Sequence, residues 1–465
     1  LTARGLSLKE LGRPAVAECA YRQALECKPG HFAALHNLGG VLMQQGRARE
    51  AKEIYEQALS IGPKVPELRY AYATALYDLG DVDGADREFR TAIALKPDYI
   101  EAHDALNRLY WQGGQRALYG RSYEVALRDA PLSASLREAQ VHALELAGQS
   151  AAALDATVEA LRLIGATPSL KHSQARLLAG IGDTEASLEA YEEAITLAPA
   201  RAAAPICLDR AKLLTRLGRY EDALSALDHV AVSAPFDQEM WAYRGLCWRL
   251  TGDSRAAWLN DYDRFIGVRQ IGVPEGYNCL ADFLVDLEEV LGSLHRDMQA
   301  PIDQTLRGGT QSNGALFTRP EAQVQALRGE VEKAVAAYIA DLPDDPAHPF
   351  LGRKAPGFAF GGSWSVRLKE GGFHVNHVHP NGWISSSLYV SVPPSVTEGH
   401  ADHQGWIKFG ESGAGLGAGR EVVARRIRPE TGLVVLFPSY MWHGTEPFTE
   451  NAPRLTTPFD IVPAR

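Results

Sequence analysis

Small and apolar positions along the first half of the chain recur in steps of 34. Ala17, Ala51 and Ala85 keep this step, as do Tyr21, Tyr55 and Phe89, then Ala24, Ala58 and Ala92. Gly12, Gly46 and Gly80 hold the same phase, and so do Pro29, Pro63, Pro97 and Pro131. Each repeat therefore predicts two short amphipathic helices, joined at a glycine turn and ended by a proline. The small alanines let the two helices of a unit approach closely, and the aromatic fills the gap to the next unit. The pattern drifts but persists. Tyr123, Ala126 and Pro131 continue it, then Gly148, Ala153 and Ala160. After a slip near Thr167–Pro168 it returns at Gly182, Tyr191, Ala194 and Pro199, and then at Gly218, Ala223 and Pro235. A degenerate last unit covers Trp241–Tyr262, which makes about seven or eight units over residues 1–262.

This pattern resembles the tetratricopeptide repeat, a helix–turn–helix unit of 34 residues. The resemblance implies an all-α solenoid whose concave face holds a peptide or protein. A scaffold or homodimerisation arm is the alternative use of such a stack.

After Tyr262 the period disappears. Tyr277–His295 and Pro320–Leu342 predict amphipathic helices, with Gly308–Gly314 a polar loop between them. From Gly357 onward short apolar runs separated by Gly and Pro predict strands at 362–368, 384–392, 405–409 and 432–437. The expected fold class is thus multidomain: the solenoid at 1–262, then a double-stranded β-helix (jelly roll) with supporting helices at 263–465, its β core at about 357–465.

Composition narrows the function. Of the 465 residues, 46% are hydrophobic and 22% charged, as in ordinary globular chains. No run approaches the ~18 consecutive apolar residues of a membrane span. A net charge of −10 argues against general nucleic-acid binding, which needs a basic footprint. The five cysteines, Cys19, Cys27, Cys207, Cys247 and Cys279, are odd in number and show no C-x-x-C spacing. They read as free thiols of a reducing, cytoplasmic compartment. The chain starts at Leu1 rather than Met, so a native N-terminal segment is left open.

Histidine carries the chemistry. Seven of the fourteen lie after residue 340. Phe373–Pro380 holds His374, His377 and His379, and in an extended strand His377 and His379 share a face. His443 follows 64 residues later, and Arg454-Leu455-Thr456 lies beyond it. Two ligands from one strand end and one from a distant strand can meet when a jelly roll closes, leaving open positions on a metal. An arginine deeper in the barrel suits the far carboxylate of a diacid, because its planar fork binds bidentately.

On His377-Val378-His379-Pro380, Ser385–Val390, Gly432–His443 and Arg454-Leu455-Thr456, residues from about 266 onward resemble the 2-oxoglutarate/Fe(II)-dependent oxygenases. The likeness is to a branch with an H-x-H-P pattern. The resemblance implies Fe(II) held by His377, His379 and His443, with 2-oxoglutarate and dioxygen as co-substrates. Arg454 matches the co-substrate arginine, Thr456 the hydroxyl two residues on, and Tyr389 a tyrosine that hydrogen-bonds 2-oxoglutarate in related hydroxylases. His379 stands where most members have Asp. The implied function is hydroxylation of a protein or peptide recruited by the repeats. The alternatives are a small-molecule hydroxylase with a scaffold solenoid, and a catalytically silent metal-binding interaction module. His400-Ala401-Asp402 is a literal H-x-D that reads as a surface loop, although Asp402 remains an alternative third ligand. The glycine-rich Gly410–Gly419 reads as a flexible turn or lid.

Overall fold

The computed structural model describes residues 1–295, 302, 304–312, 314–397, 402–417 and 419–464. It divides into two compact units, residues 1–144 with 317–325, and residues 145–316 with 326–465. The chain is an all-α repeat solenoid followed by an antiparallel β region of jelly-roll type.

In the first unit, helix pairs such as Phe32–Gln44 with Ala48–Ile61, and Pro66–Asp78 with Val82–Leu95, follow the 34-residue phase. The turn glycines Gly12, Gly46 and Gly80 have φ of +68°, +71° and +86°. Each N–H returns to a carbonyl three residues back, on Lys9, Met43 and Tyr77. An L side chain is strained at this left-handed helix end, which is why glycine recurs there. The recurrent aromatic also has a defined seat. The Tyr21 and Tyr55 rings lie on Gly5 and Gly39, leaving no room for a Cβ at either glycine. Ala17, Ala51, Ala58, Leu38 and Leu42 are wholly buried around these rings.

In the second unit the pairs continue through Pro168–Ile181 and Thr184–Leu197, Ala204–Arg216 and Tyr220–Ser233, to Gln238–Thr251. The strands follow: β1 (Gly267–Gln270), β2 (Leu306–Gln311), β3 (Phe358–Ser363), β4 (Val366–His374), β5 (Ile384–Ser391), β6 (Ile407–Phe409), β7 (Arg425–Ile427), β8 (Leu433–Pro438), β9 (His443–Thr445), β10 (Arg454–Thr456) and β11 (Phe459–Pro463). One sheet runs β1-β8-β5-β10-β4-β2, with β11 pairing β3 and β5; the other runs β7-β6-β9. The last repeats pack directly on the sheets. The Tyr440 hydroxyl donates to the Leu259 carbonyl at 2.6 Å, and Tyr243 stands edge-on to Trp442 with centroids 5.3 Å apart.

Two expectations need correction. The glycine-rich segment expected as a loop contains β2, which pairs antiparallel with β4. Its glycines serve close approach: the backbone of Gly309 meets the Arg367 carbonyl where a Cβ would stand, and the register shifts between Arg307 and Gly309. Asn313 lies outside the described residues. The single strand expected at 362–368 is two strands, because the ladder changes partner between them. Trp364 N–H donates to the Pro458 carbonyl and Ser365 N–H to the Ser312 hydroxyl. The expected helices shorten to Leu280–Gly292 and Ala322–Asp341. No helix among the described residues is long and apolar enough to cross a membrane. All five cysteines are free thiols.

Candidate metal centre

The strand β8 ends at Pro438, and a turn closed by Met441 N–H on the Pro438 carbonyl leads into His443. His443 forms a reciprocal antiparallel bridge with His377, with N–H···O distances of 2.9 and 3.1 Å. His379 N–H donates to the Ser439 carbonyl at 3.0 Å. Backbone bonds on both sides of Val378 therefore fix where the two H-x-H side chains leave the chain. Gly382 permits this approach, since a Cβ there would overlap the Ser439 hydroxyl.

The three imidazoles converge, with ligand atoms within 4.8 Å of one another. Their outer nitrogens are all engaged. His377 Nδ1–H donates to the Val375 carbonyl at 2.8 Å, His443 Nδ1–H to the Met441 carbonyl at 2.9 Å, and His379 Nδ1–H to the Asp460 carboxylate at 2.6 Å. That fixes the tautomer, so each inner Nε2 carries a lone pair. The Nε2 atoms of His377 and His379 face each other at 3.1 Å. Two lone pairs at this distance repel unless a cation lies between them, so the donor set fits a metal ion. Burial holds His377 down to about 3, helped by His379 beside it. Burial also holds His443 well below the ordinary range, helped by His377. Both are neutral at pH 7, the form in which imidazole binds metal.

A cavity of about 330 Å³ opens onto these rings and runs to Arg454 and Thr456. The strand β10 is sandwiched between β4 and β5, with Arg454 opposite Leu368 and Thr456 opposite Tyr389. Arg454 is only 2% exposed, and no ion-pair partner is found for it among the described residues. Burial lowers its pKa, and the neighbouring Tyr389 opposes this. The guanidinium sits 4.9 Å from the centroid of the Tyr389 ring. Arg454 Nε is buried without a hydrogen-bond partner, and the Tyr389 hydroxyl is the polar group beside the guanidinium. A buried guanidinium with an unpaired N–H is costly, and a carboxylate in the cavity would satisfy it. Tyr389 itself is fully buried beside Arg454 and does not line the cavity.

Residues 362–460 match the family model described as "Putative 2OG-Fe(II) oxygenase". Models of the tetratricopeptide repeat match residues 2–66, 42–109, 169–201 and 208–265. The chain joins tetratricopeptide repeats to a domain that matches the family model "Putative 2OG-Fe(II) oxygenase". Among curated proteins it is 34% identical over 77 residues to the TPR repeat-containing thioredoxin TTL4 of Arabidopsis thaliana, covering 17% of this chain and 11% of that protein. It is 27% identical over 100 residues to tetratricopeptide repeat protein 33 of Xenopus laevis, covering 22% of this chain and 39% of that one. The chain thus spans well under half the length of either. A solved tetratricopeptide repeat protein from Parabacteroides merdae aligns over 54% of this chain and 96% of its own, at 18% identity and a TM-score of 0.37.

Within the oxygenase domain, sequence reasoning missed Asp460. It lies on β11 in Phe459-Asp460-Ile461, a lone carboxylate among buried apolar residues, and strand alternation turns it to the opposite face from them. Its Oδ1 accepts from His379 and also from the Ser385 hydroxyl at 2.7 Å. The alternative carboxylate, Asp402, is exposed and accepts from the Gln404 amide at 2.7 Å; it is not part of the histidine cluster. His400 and Ala401 lie outside the described residues. His374, at the end of β4, hydrogen-bonds Thr305 at 3.2 Å and lines the cavity without joining the converging set. The Gly410–Gly419 segment, expected as a flexible turn or lid, is tied down on one side. Glu421 accepts from the Ser412 and Leu416 amides, and Gly413 packs against the Asn376 carbonyl and the Trp442 ring.

Proposed function

We propose that the chain is an Fe(II)- and 2-oxoglutarate-dependent dioxygenase that hydroxylates a protein or peptide held by its repeats. The observation that carries this reading is the pairing, in one cavity, of three inward Nε2 lone pairs with a buried, unpaired Arg454. His377, His379 and His443 would hold the iron on one face. When bound, the iron supplies dioxygen activation coupled to oxidative decarboxylation of 2-oxoglutarate.

The chain's own residues bind and orient. Arg454 receives the far carboxylate of 2-oxoglutarate, with Thr456 as a hydrogen-bond donor, while Tyr389, buried behind the cavity wall, positions the guanidinium rather than touching the co-substrate. This places the keto-acid end toward the histidines. Val375, Met441 and Asp460 hold the three ring tautomers. Phe437 and Phe409, with centroids 4.6 and 6.3 Å from His443, keep water from the back of that ligand. Trp364, 5.9 Å from His379, stands at the cavity wall where a substrate side chain would pass. The three-imidazole set leaves no missing ligand for a halide to occupy, so the expected outcome is hydroxylation.

The test is succinate release from 2-oxoglutarate with added Fe(II), together with a ~16 Da gain on a candidate protein, since oxygen insertion is what this chemistry delivers. Both should vanish in His443→Ala. Absence of Fe(II)-dependent succinate from the native chain, or chlorinated product, would overturn the reading.

A further inference from the structure

A second cavity, of about 250 Å³, shares no lining residue with the first. Successive first helices of three repeats supply one wall. Pro168–Ile181 brings Arg176, Ala204–Arg216 brings Asp209, Lys212 and Arg216, and Gln238–Thr251 brings Tyr243. Tyr191 adds a second phenol, and the oxygenase segment Gly413–Ala414 closes the opposite side.

The cations are not equivalent. Arg176 is held by Glu145 at 2.8 Å, and Lys212 by Asp209 and Glu239, both at 2.9 Å. Arg216 is exposed, and no ion pair is found for it among the described residues. Tyr191 and Tyr243 are largely buried but line the cavity, and no hydrogen bond of either hydroxyl is found among the described residues. The cavity therefore presents one uncommitted guanidinium and two uncommitted phenol donors, which is a receptor for a single negative charge. Its volume falls below the ~300–1,000 Å³ of small-molecule sites, so it accommodates a side chain rather than a whole ligand. Asp209 in the lining opposes a dianion such as phosphate, and the chain's net charge of −10 opposes a polyanion.

The wall of this cavity is packed against the segment that carries His443. Gly413 packs on Trp442, Trp442 meets the edge of Tyr243, and His443 is the next residue. We propose that this cavity receives the side-chain carboxylate of an Asp or Glu in a peptide substrate bound by the repeats. The inference rests on the proposed function, in which the repeats deliver the substrate.

The experiment uses the full chain and a fluorescently labelled, C-terminally amidated Glu/Ser peptide, followed by anisotropy. The native chain should bind it in a salt-sensitive manner. Arg216→Glu should weaken binding at least about tenfold, because it turns an attractive contact repulsive. Tyr191→Phe combined with Tyr243→Phe should weaken it several-fold. Affinity for 2-oxoglutarate and uncoupled succinate release should stay unchanged in these variants, which separates failure of this cavity from failure of the oxygenase reading. The proposal is overturned by any of four results: no binding by the native chain, equal binding of a Gln/Ser peptide, unaltered binding by Arg216→Glu, or displacement by phosphate or by a neutral peptide with a free C-terminal carboxylate.

Discussion

Replacing Asp460 isolates what a carboxylate one imidazole away from the proposed metal site contributes. Both bonds to this residue, from His379 Nδ1 at 2.6 Å and Ser385 Oγ at 2.7 Å, converge on Oδ1. Asp460→Asn keeps an oxygen at that position and removes only the charge. Asp460→Ala removes both bonds and frees the His379 ring to rotate. Partners that support metal-bound histidines are typically worth about 10–100-fold in metal affinity, or about 1.4–2.8 kcal/mol. Asp460→Asn should fall near the lower figure and Asp460→Ala near the upper. The assay is competition for Co(II), an oxygen-stable substitute for Fe(II), against a chromophoric chelator. Thermal unfolding in EDTA, run alongside, separates metal affinity from folding. If both variants bind Co(II) as the native chain does, or if Asn is worse than Ala, the orienting role of Asp460 is wrong.

Three further outcomes are expected. Arg454→Lys keeps the charge but loses the fork, so the apparent KM for 2-oxoglutarate should rise about tenfold or more, a loss of ~1.4 kcal/mol; steady-state succinate release measures it. Gly39→Ala places a methyl group against the Tyr55 ring, and an overpacking cost of ~1–3 kcal/mol should exceed the helix-propensity gain of up to ~1 kcal/mol. Urea unfolding should show a net loss, and a net gain would refute the close seat of the ring. His295, bonded to Thr310 and Ser365 at 2.9 Å each, is pushed down to about 4 by burial and then by Arg367. Because the unfolded chain takes up this proton near pH 6.5, the His295 contribution to stability is complete above that pH and is lost as pH falls toward 4. The stability gap between the native chain and His295→Gln should therefore narrow over that window in pH-resolved denaturation, and a constant gap would contradict it.

The helical half was legible because a given residue type at a given phase always plays the same part, as the glycines at 12, 46 and 80 show by all adopting the left-handed turn. The long strands β5 and β8 were legible as apolar runs. Of the three-residue strands, β6 lies within the run expected at 405–409, whereas β7, β9 and β10 were not legible, because at that length period-two alternation is indistinguishable from a loop. In β2 the signal misled, since the glycines that suggest a loop are also what lets two backbones approach. Among the site residues, the same-face spacing of His377 and His379 and the distant His443 were readable; the contact with Asp460, 81 positions from His379, was not. A charged residue in an otherwise apolar strand at Phe459–Pro463 was the available clue.

The place of the carboxylate distinguishes this H-x-H site from the H-x-D arrangement that most of the oxygenases it resembles carry. Here the negative charge stands one imidazole outward of the proposed metal site, at the far nitrogen of His379. A simple reversion should therefore fail on electrostatic grounds. His379→Asp would put a carboxylate next to the one already at Asp460 and remove the ring that separates them. Two such groups oppose each other's ionisation. Metal affinity of His379→Asp alone should thus fall below native, though above His379→Ala, which offers no ligand at all. Adding Asp460→Asn should recover part of the loss, giving a coupling of ~0.5–3 kcal/mol between the two sites in a double-mutant cycle read by Co(II) competition. If the two changes combine additively, or if His379→Asp alone matches the native affinity, Asp460 does not act as the displaced carboxylate and His379 is no more than a neutral ligand.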